Sequence, residues 1–186
     1  MLNKFFVTGN KNKFNEIKKY LPDLQRLDVD LIEIQSLDIK EIIEHKLKEA
    51  ASKPSLNNTL LIVEDTGLYL DAMNNFPGPL IKFMLKAIGN NGIYKVCKGY
   101  DNYRAYATSI LGVINTNNEE IKFYSGTVNG RITKPAGNYG FGWDRVFIPE
   151  GSDKTFAEME TIEEKNKYSM RKRALNKFIA SGILTL

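Results

Sequence analysis

Apolar residues recur along this chain with two periods, and the switches between them lay out the elements. Residues 4–8, Lys-Phe-Phe-Val-Thr, form a short apolar run closed by Gly9-Asn10, which predicts a buried strand and a turn. Phe14, Ile17 and Leu21 follow at helical spacing, and Pro22 ends that helix. Leu27, Val29 and Leu31 alternate with polar residues, predicting a second strand over 27–32. Ile42, Ile43, Leu47 and Ala50 share one face of a helix predicted over 41–51. Residues 60–63, Leu-Leu-Ile-Val, lie between Asn57-Asn58 and Gly67 and read as a strand buried on both faces. The first third is therefore β-α-β-α-β, the pattern of an α/β protein with a parallel or mixed sheet.

Phe76-Pro77-Gly78-Pro79 is a rigid turn by composition. Short helices are predicted over 80–87 and 91–98. Strands over 103–114 and 121–128 pair as an antiparallel hairpin across Asn115-Thr116-Asn117-Asn118. A short strand is expected over 144–148 and a final helix over 168–181, with Met170, Ala174, Leu175, Phe178 and Ile179 as its apolar stripe. Repeats, low-complexity blocks and a clean linker are absent.

Composition narrows the chemistry. The 186 residues predict one domain over 1–186, with room for two lobes around a cleft. A net charge of +4 and a pI near 9.0 suit an anionic ligand without demanding nucleic acid. Cys97 is the only cysteine, so no intramolecular disulfide forms, a reducing compartment is expected, and its apolar setting predicts a small buried residue. His45 is the only histidine and reads as a solvated helix residue, which nearly excludes Ser-His-Asp, Cys-His and histidine-rich metal chemistry. The apolar stretch near residue 5 is too short for a signal peptide, and no segment reaches the roughly 18 apolar residues of a membrane span, so a soluble cytoplasmic protein without a membrane partner is expected.

Four stretches carry candidate chemistry. Glu64-Asp65-Thr66 closes the 60–63 run, where open α/β sheets place ligands, and paired carboxylates suit a hard cation such as Mg²⁺; alone, the pair reads more often as a cap on the following turn. Thr8-Gly9-Asn10-Lys11-Asn12-Lys13 joins a strand to a helix start, offering N–H groups and ammonium charge to a phosphate, or else a solvated turn capped by Asn10. It is neither a Walker A loop nor G-x-G-x-x-G. In Asn138-Tyr139-Gly140-Phe141-Gly142-Trp143-Asp144 the glycines permit a tight loop, Phe141 and Trp143 offer faces for a base, and Asp144 an acceptor; an aromatic corner packed in the core is the alternative. Residues 163–173 put Lys165, Arg171 and further cations at a helix start, where the dipole disfavours them unless an anion binds, although a solvated basic face is the usual outcome.

The ordered set FVTGNKNK, EDTGL, FPGP, FGWD, TFAEM and EEKNKYSMR spans nearly the whole chain and resembles the inosine triphosphate pyrophosphatase family. The resemblance implies a single elongated two-lobed α/β unit with a mixed sheet and a central cleft, usually a homodimer. It implies Mg²⁺-dependent hydrolysis of non-standard purine nucleoside triphosphates (ITP, dITP, XTP) to the monophosphate and pyrophosphate. By the same resemblance Thr8, Asn10 and Lys13 contact phosphate with Gly9, Lys11 and Asn12 in the loop, and Lys46 and Lys165 reach the triphosphate. Glu33 and Asp65 hold metal, Asp65 also acting as general base, with Thr66 beside it. Phe141 stacks on the base with Gly142 and Trp143 in its loop, while Asp144 and Arg171 read the base edge.

The chain departs from the family pattern at three places. Met170 stands at a substrate-binding position where a histidine is usual and cannot donate a side-chain hydrogen bond, so Arg171 and Asp144 are expected to carry the base selectivity; Asn74-Asn75 stand where glycines are common, and Arg145 where a proline often follows FGWD. Two rival readings are a pyrimidine-preferring nucleotide pyrophosphatase and a non-enzymatic nucleic-acid-binding domain. The second leaves Glu33, Glu64 and Asp65 unexplained, because carboxylates repel phosphate unless a metal stands between them.

Overall fold

In the computed structural model, which describes residues 2–185, strand β1 (Asn3–Val7) lies between two parallel neighbours. On one side is β2 (Gln25–Leu27), with Phe6 opposite Arg26; on the other is β3 (Thr59–Leu70), with Phe6 opposite Ile62. Helices α1 (Lys11–Lys18) and α2 (Ile39–Ala51) occupy the connections, as parallel neighbours require. A two-residue strand β4 (Pro77–Gly78) pairs antiparallel with the far part of β3. Next come α3 (Ile81–Gly99), β5 (Arg104–Asn115), β6 (Glu120–Ile132), β7 (Phe147–Pro149), α4 (Ile162–Asn166) and α5 (Met170–Ala180). The sheet is seven-stranded and mixed, in the order β2-β1-β3-β5-β6-β7 with β4 on β3. Among the described residues no helix is long and apolar enough to cross a membrane.

The chain divides into two compact units. The first comprises residues 2–65, 110–125 and 174–185, and the second residues 66–109 and 126–173. In the first, Phe6, Leu60 and Ile62 pack with Leu111, Val113, Leu175 and Phe178. In the second, Leu68, Leu70, Ile93 and Cys97 pack with Trp143, Phe147, Phe156 and Met170.

Four sequence expectations need correcting. The second strand ends at Leu27, and residues 28–38 have no regular structure, although Leu27, Val29 and Leu31 remain half-buried between more exposed neighbours. The Leu-Leu-Ile-Val strand does not stop before Gly67; β3 runs on to Leu70, so Glu64 and Asp65 lie within it. Gly67 marks close approach rather than a turn: a Cβ there would stand 2.7 Å from the Tyr69 ring and 3.0 Å from the Gly78 backbone, which pairs opposite Leu68. The strand expected from Asp144 begins only at Phe147. On α5, Met170, Ala174, Leu175 and Phe178 are buried, whereas Ile179 faces solvent. The two helices expected over 80–98 are present, divided by Gly89 at φ 63°.

Candidate active site

Parallel pairing sets the first cluster. Because β1 and β3 run side by side, the loop leaving β1 stands level with Glu64 and Asp65, and α1 grows out of that loop. Asn10 caps α1: its Oδ1 accepts from the Asn12 and Lys13 N–H groups at 3.0 and 3.2 Å, while Thr8 Oγ1 accepts from Asn10 N–H at 3.1 Å. Gly9, Asn10, Lys11 and Asn12 are exposed and Thr8 half-buried, so this loop is both capped and open. One turn in, Lys13 Nζ lies 2.8 Å from Glu64 Oε2 and 3.7 Å from Asp65 Oδ1.

The opposite side of Asp65 is held by α2. Asp38 caps this helix by accepting from Lys40 N–H, and Ile39, Ile42, Ile43, Leu47 and Ala50 form its buried face. That burial leaves Lys46 on the adjoining face, with Nζ 2.6 Å from Glu33 Oε1 and 3.8 Å from Asp65 Oδ2. Asp65 thus stands between two ammonium groups, one on each carboxylate oxygen. The cluster sums to three carboxylates and two ammonium groups, a formal excess of one negative charge.

The donor set fits a divalent cation of the hard type. Glu33 and Asp65 are brought around a single positive centre, the Lys46 ammonium, and both offer only oxygen. Among the described residues no group of three or more His, Cys, Asp or Glu forms a complete cage. Two carboxylates completed by substrate phosphates is the arrangement Mg²⁺ favours.

The second cluster lies wholly in the second unit. Residues 137–144 form an irregular loop pinned from below: Tyr139 N–H donates to Ala157 O, Ala157 N–H to Asp144 O, and Thr155 Oγ1 to Ala136 O. Thr155 opens a single helical turn, and its own N–H donates to Glu158 Oε2 at 2.8 Å. The TFAEM segment therefore shapes this loop. Asp144, 4% exposed, accepts on Oδ2 from Phe141 N–H at 2.9 Å and from Lys165 Nζ at 2.8 Å. Gly140 has φ 74°, and a Cβ there would run into the Asp144 carboxylate, so only glycine lets the loop close on it.

Phe141 is half-buried, with Lys165 Nζ 5.1 Å and Arg171 Cζ 5.8 Å from its ring centre. Arg171, itself buried, donates from Nη2 to Thr66 Oγ1 at 3.4 Å. Gly142 is exposed, and its carbonyl accepts from Asn90 Nδ2. Trp143 packs against the core: it is 8% exposed, edge-on to Phe147 at 5.5 Å and tilted against Phe156. An indole is too large an apolar surface to leave the core when two rings await it. Met170 is likewise 2% exposed within the same apolar cluster.

Of the residues named from motifs and resemblance, Lys13, Glu33, Lys46 and Asp65 converge in one cluster, and Phe141, Asp144, Lys165, Arg171 and Thr66 in the other. Two participants, Phe156 and Glu49, are not singled out by the sequence. Glu64, read there as half of a metal-suited carboxylate pair, holds Lys13 with its buried carboxylate. Phe156 places its ring 5.5 Å from Lys165 Nζ. Glu49 accepts from the Ile32 N–H, a contact to backbone that leaves no sequence signal.

Comparison with known proteins agrees with these segments. The model of the Ham1 family matches residues 4–181. The chain belongs to the Ham1 family. It is 40% identical over 178 residues to a protein of Methanopyrus kandleri named dITP/XTP pyrophosphatase, covering 93% of this chain and 92% of that one. It is 38% identical over 169 residues to the inosine triphosphate pyrophosphatase of Schizosaccharomyces pombe, covering 89% and 87%. The fold is that of a HAM1 protein from Coxiella burnetii, with a TM-score of 0.83 at 24% identity over 100% of this chain and 99% of that one.

Proposed function

We propose that this Ham1-family chain is a nucleoside triphosphate pyrophosphatase that converts non-standard purine nucleotides (ITP, dITP, XTP) to the monophosphate and pyrophosphate, using Mg²⁺. The observation that carries the reading is the placement of Asp65 between Lys13 and Lys46, with Glu33 on the second lysine. The names of relatives at 38–40% identity support the substrate class.

In this reading Asp65 accepts a proton from the water that attacks the α-phosphorus. Lys13 and Lys46 turn from their carboxylate partners toward the β- and γ-phosphates, offsetting the charge of departing pyrophosphate. Glu64 holds Lys13 at 2.8 Å before the substrate engages it. Glu33 and Asp65 hold the Mg²⁺, which supplies further charge neutralisation on the phosphates when bound. Thr8, Gly9, Asn10, Lys11 and Asn12 form the phosphate-side loop at the α1 N-terminus, whose dipole favours an anion.

The second cluster reads the base. Phe141 gives it a stacking face, with Gly142 keeping the loop slim. Arg171 donates to the C6 oxygen of hypoxanthine or xanthine, and Asp144, which accepts from Phe141 N–H and Lys165 Nζ on Oδ2, accepts from N1–H on Oδ1. Adenine reverses both groups and leaves Arg171 and Asp144 mispaired, which is how hydrogen-bonding sites reject an analogue. Lys165 balances the Asp144 charge. The working form is a cytoplasmic homodimer.

A panel of nucleoside triphosphates with Mg²⁺, assayed separately for pyrophosphate and orthophosphate, tests the reading. Pyrophosphate from ITP, dITP and XTP is expected, and Asp65→Asn should lower it by about 10²–10⁴-fold, the span of a lost general base. Orthophosphate as first product, or a folded Asp65→Asn protein with near-normal turnover, overturns it.

A further inference from the structure

The segment that carries Glu33 is held in an unusual way. Residues 28–38 contribute neither helix nor strand, and no apolar side chain among them is fully buried: Val29, Leu31 and Ile34 are half-buried, and Ile32 and Leu37 are 69% and 64% exposed. Polar contacts from one face of α2 hold the segment as well. Glu41, His45 and Glu49 recur every four residues along that face. Ser36 Oγ donates to Glu41 Oε2 at 2.6 Å, and Ile32 N–H donates to Glu49 Oε2 at 2.9 Å. His45 Nδ1 stands 3.9 Å from the same Glu49 oxygen, beyond hydrogen-bond length.

Glu33 itself is tied to Lys46, and here the proposed function creates a difficulty. If Lys46 turns to the triphosphate, its 2.6 Å hold on Glu33 is weakened at the moment Glu33 must stay in place. The bond from Ile32 N–H to Glu49 does not share that weakness. It fixes the backbone at the residue before Glu33, it does not depend on Lys46, and a charged acceptor makes it stronger than a neutral pair.

We propose that Glu49 is a positioning residue for Glu33, fixing through the Ile32 N–H where the Glu33 carboxylate stands beside Asp65 as Lys46 engages the substrate. The role rests on the reading of Glu33 as a metal-holding group. Glu49 touches neither substrate nor metal.

Two variants and two measurements test it. Amide hydrogen exchange is followed on the peptide containing Ile32 in the metal-free protein, and the Mg²⁺ concentration for half-maximal pyrophosphate release from ITP is measured in parallel. Glu49→Ala should speed exchange at Ile32 about ten-fold and raise the half-maximal Mg²⁺ concentration about 3- to 10-fold, the range of one lost hydrogen bond. At saturating Mg²⁺ the KM for ITP should stay within about two-fold, and the melting temperature should be nearly unchanged. Glu49→Gln keeps an acceptor oxygen and should restore most of both values. Unchanged exchange in Glu49→Ala overturns the clamp, whatever the metal does. Faster exchange with an unchanged Mg²⁺ requirement, while Glu33→Gln shifts that requirement, overturns the positioning role alone. A Glu33→Gln protein with a normal Mg²⁺ requirement overturns the metal reading of Glu33 and the positioning role with it.

Discussion

At the scale of single residues, identity and environment part company most clearly along the short stretch Met170-Arg171. Both side chains are buried, at 2% and 4% exposure, yet Met170 joins the apolar cluster of Trp143, Phe147 and Phe156, while Arg171 turns to Thr66 Oγ1 and the Phe141 ring. The sequence marks Met170 as standing where a histidine is usual; it does not say which way the side chain faces. A polar ring placed in that cluster is a destabilising change of roughly 1–3 kcal/mol. Met170→His should therefore lower the melting temperature by several degrees and leave the ratio of kcat/KM for ITP over ATP near its original value. Arg171→Ala removes a buried charged donor worth about 1.5–3 kcal/mol. It should reduce the ITP/ATP ratio by roughly ten- to a hundred-fold. A Met170→His protein of normal stability with an increased ratio would show that the side chain faces the base.

Elements explain why the candidate site was legible before its geometry was. The ordered motifs name Lys13 and Asp65, and the family resemblance adds Glu33 and Lys46, but only the register of β1 against β3 puts Lys13 beside Asp65, and only the packing of α2 aims Lys46. Turn chemistry misled at Gly67, where a glycine serves close packing inside a strand, and alternation misled after Leu27, where exposed and half-buried positions persist without a ladder. Trp143 was ambiguous for a related reason: a ring flanked by glycines suits a stacking platform or a core corner, and only the neighbouring Phe147 and Phe156 decide. The aim of α2 depends on one small residue of β5. A Cβ at Gly112 would run into Ile43 Cγ2 and stand 3.1 Å from Leu47 Cδ1, both on the buried face of the helix. Gly112→Val should push α2 outward, at a cost of about 1–3 kcal/mol for overpacking. Because Lys46 and Glu49 ride on the same helix, kcat/KM should fall further than the stability loss explains. Activity measured well below the melting temperature separates the two effects.

For the molecule as a whole, the question is whether the two units behave as one domain. Each passage of the chain from one unit to the other falls inside an element: within β3 after Asp65, within β5 after Ser109, within β6 after Ser125 and within α5 after Arg173. Opening at any of them breaks backbone hydrogen bonds rather than flexing a linker, which predicts a single cooperative transition. Cys97 reports on this directly. It lies in the core of the second unit with no exposed surface, and burial pushes its thiol above the ordinary value of 9.0. An aromatic disulfide reagent should label it only as the protein unfolds, with the same denaturant midpoint as the far-ultraviolet dichroism of the whole chain. The sign of the alkaline effect follows. The native thiol binds its proton more tightly than the unfolded one, so its contribution to stability is intact below about pH 9 and is lost as pH rises through the raised native value. The Tyr106 hydroxyl, raised by burial and by the nearby Asp71 carboxylate, adds to the same trend. The melting temperature should fall as pH rises above about 9, and Cys97→Ala should flatten part of that fall, leaving the tyrosine share. Labelling that runs ahead of the dichroism would mean that the second unit opens alone, and that the chain is two domains rather than one.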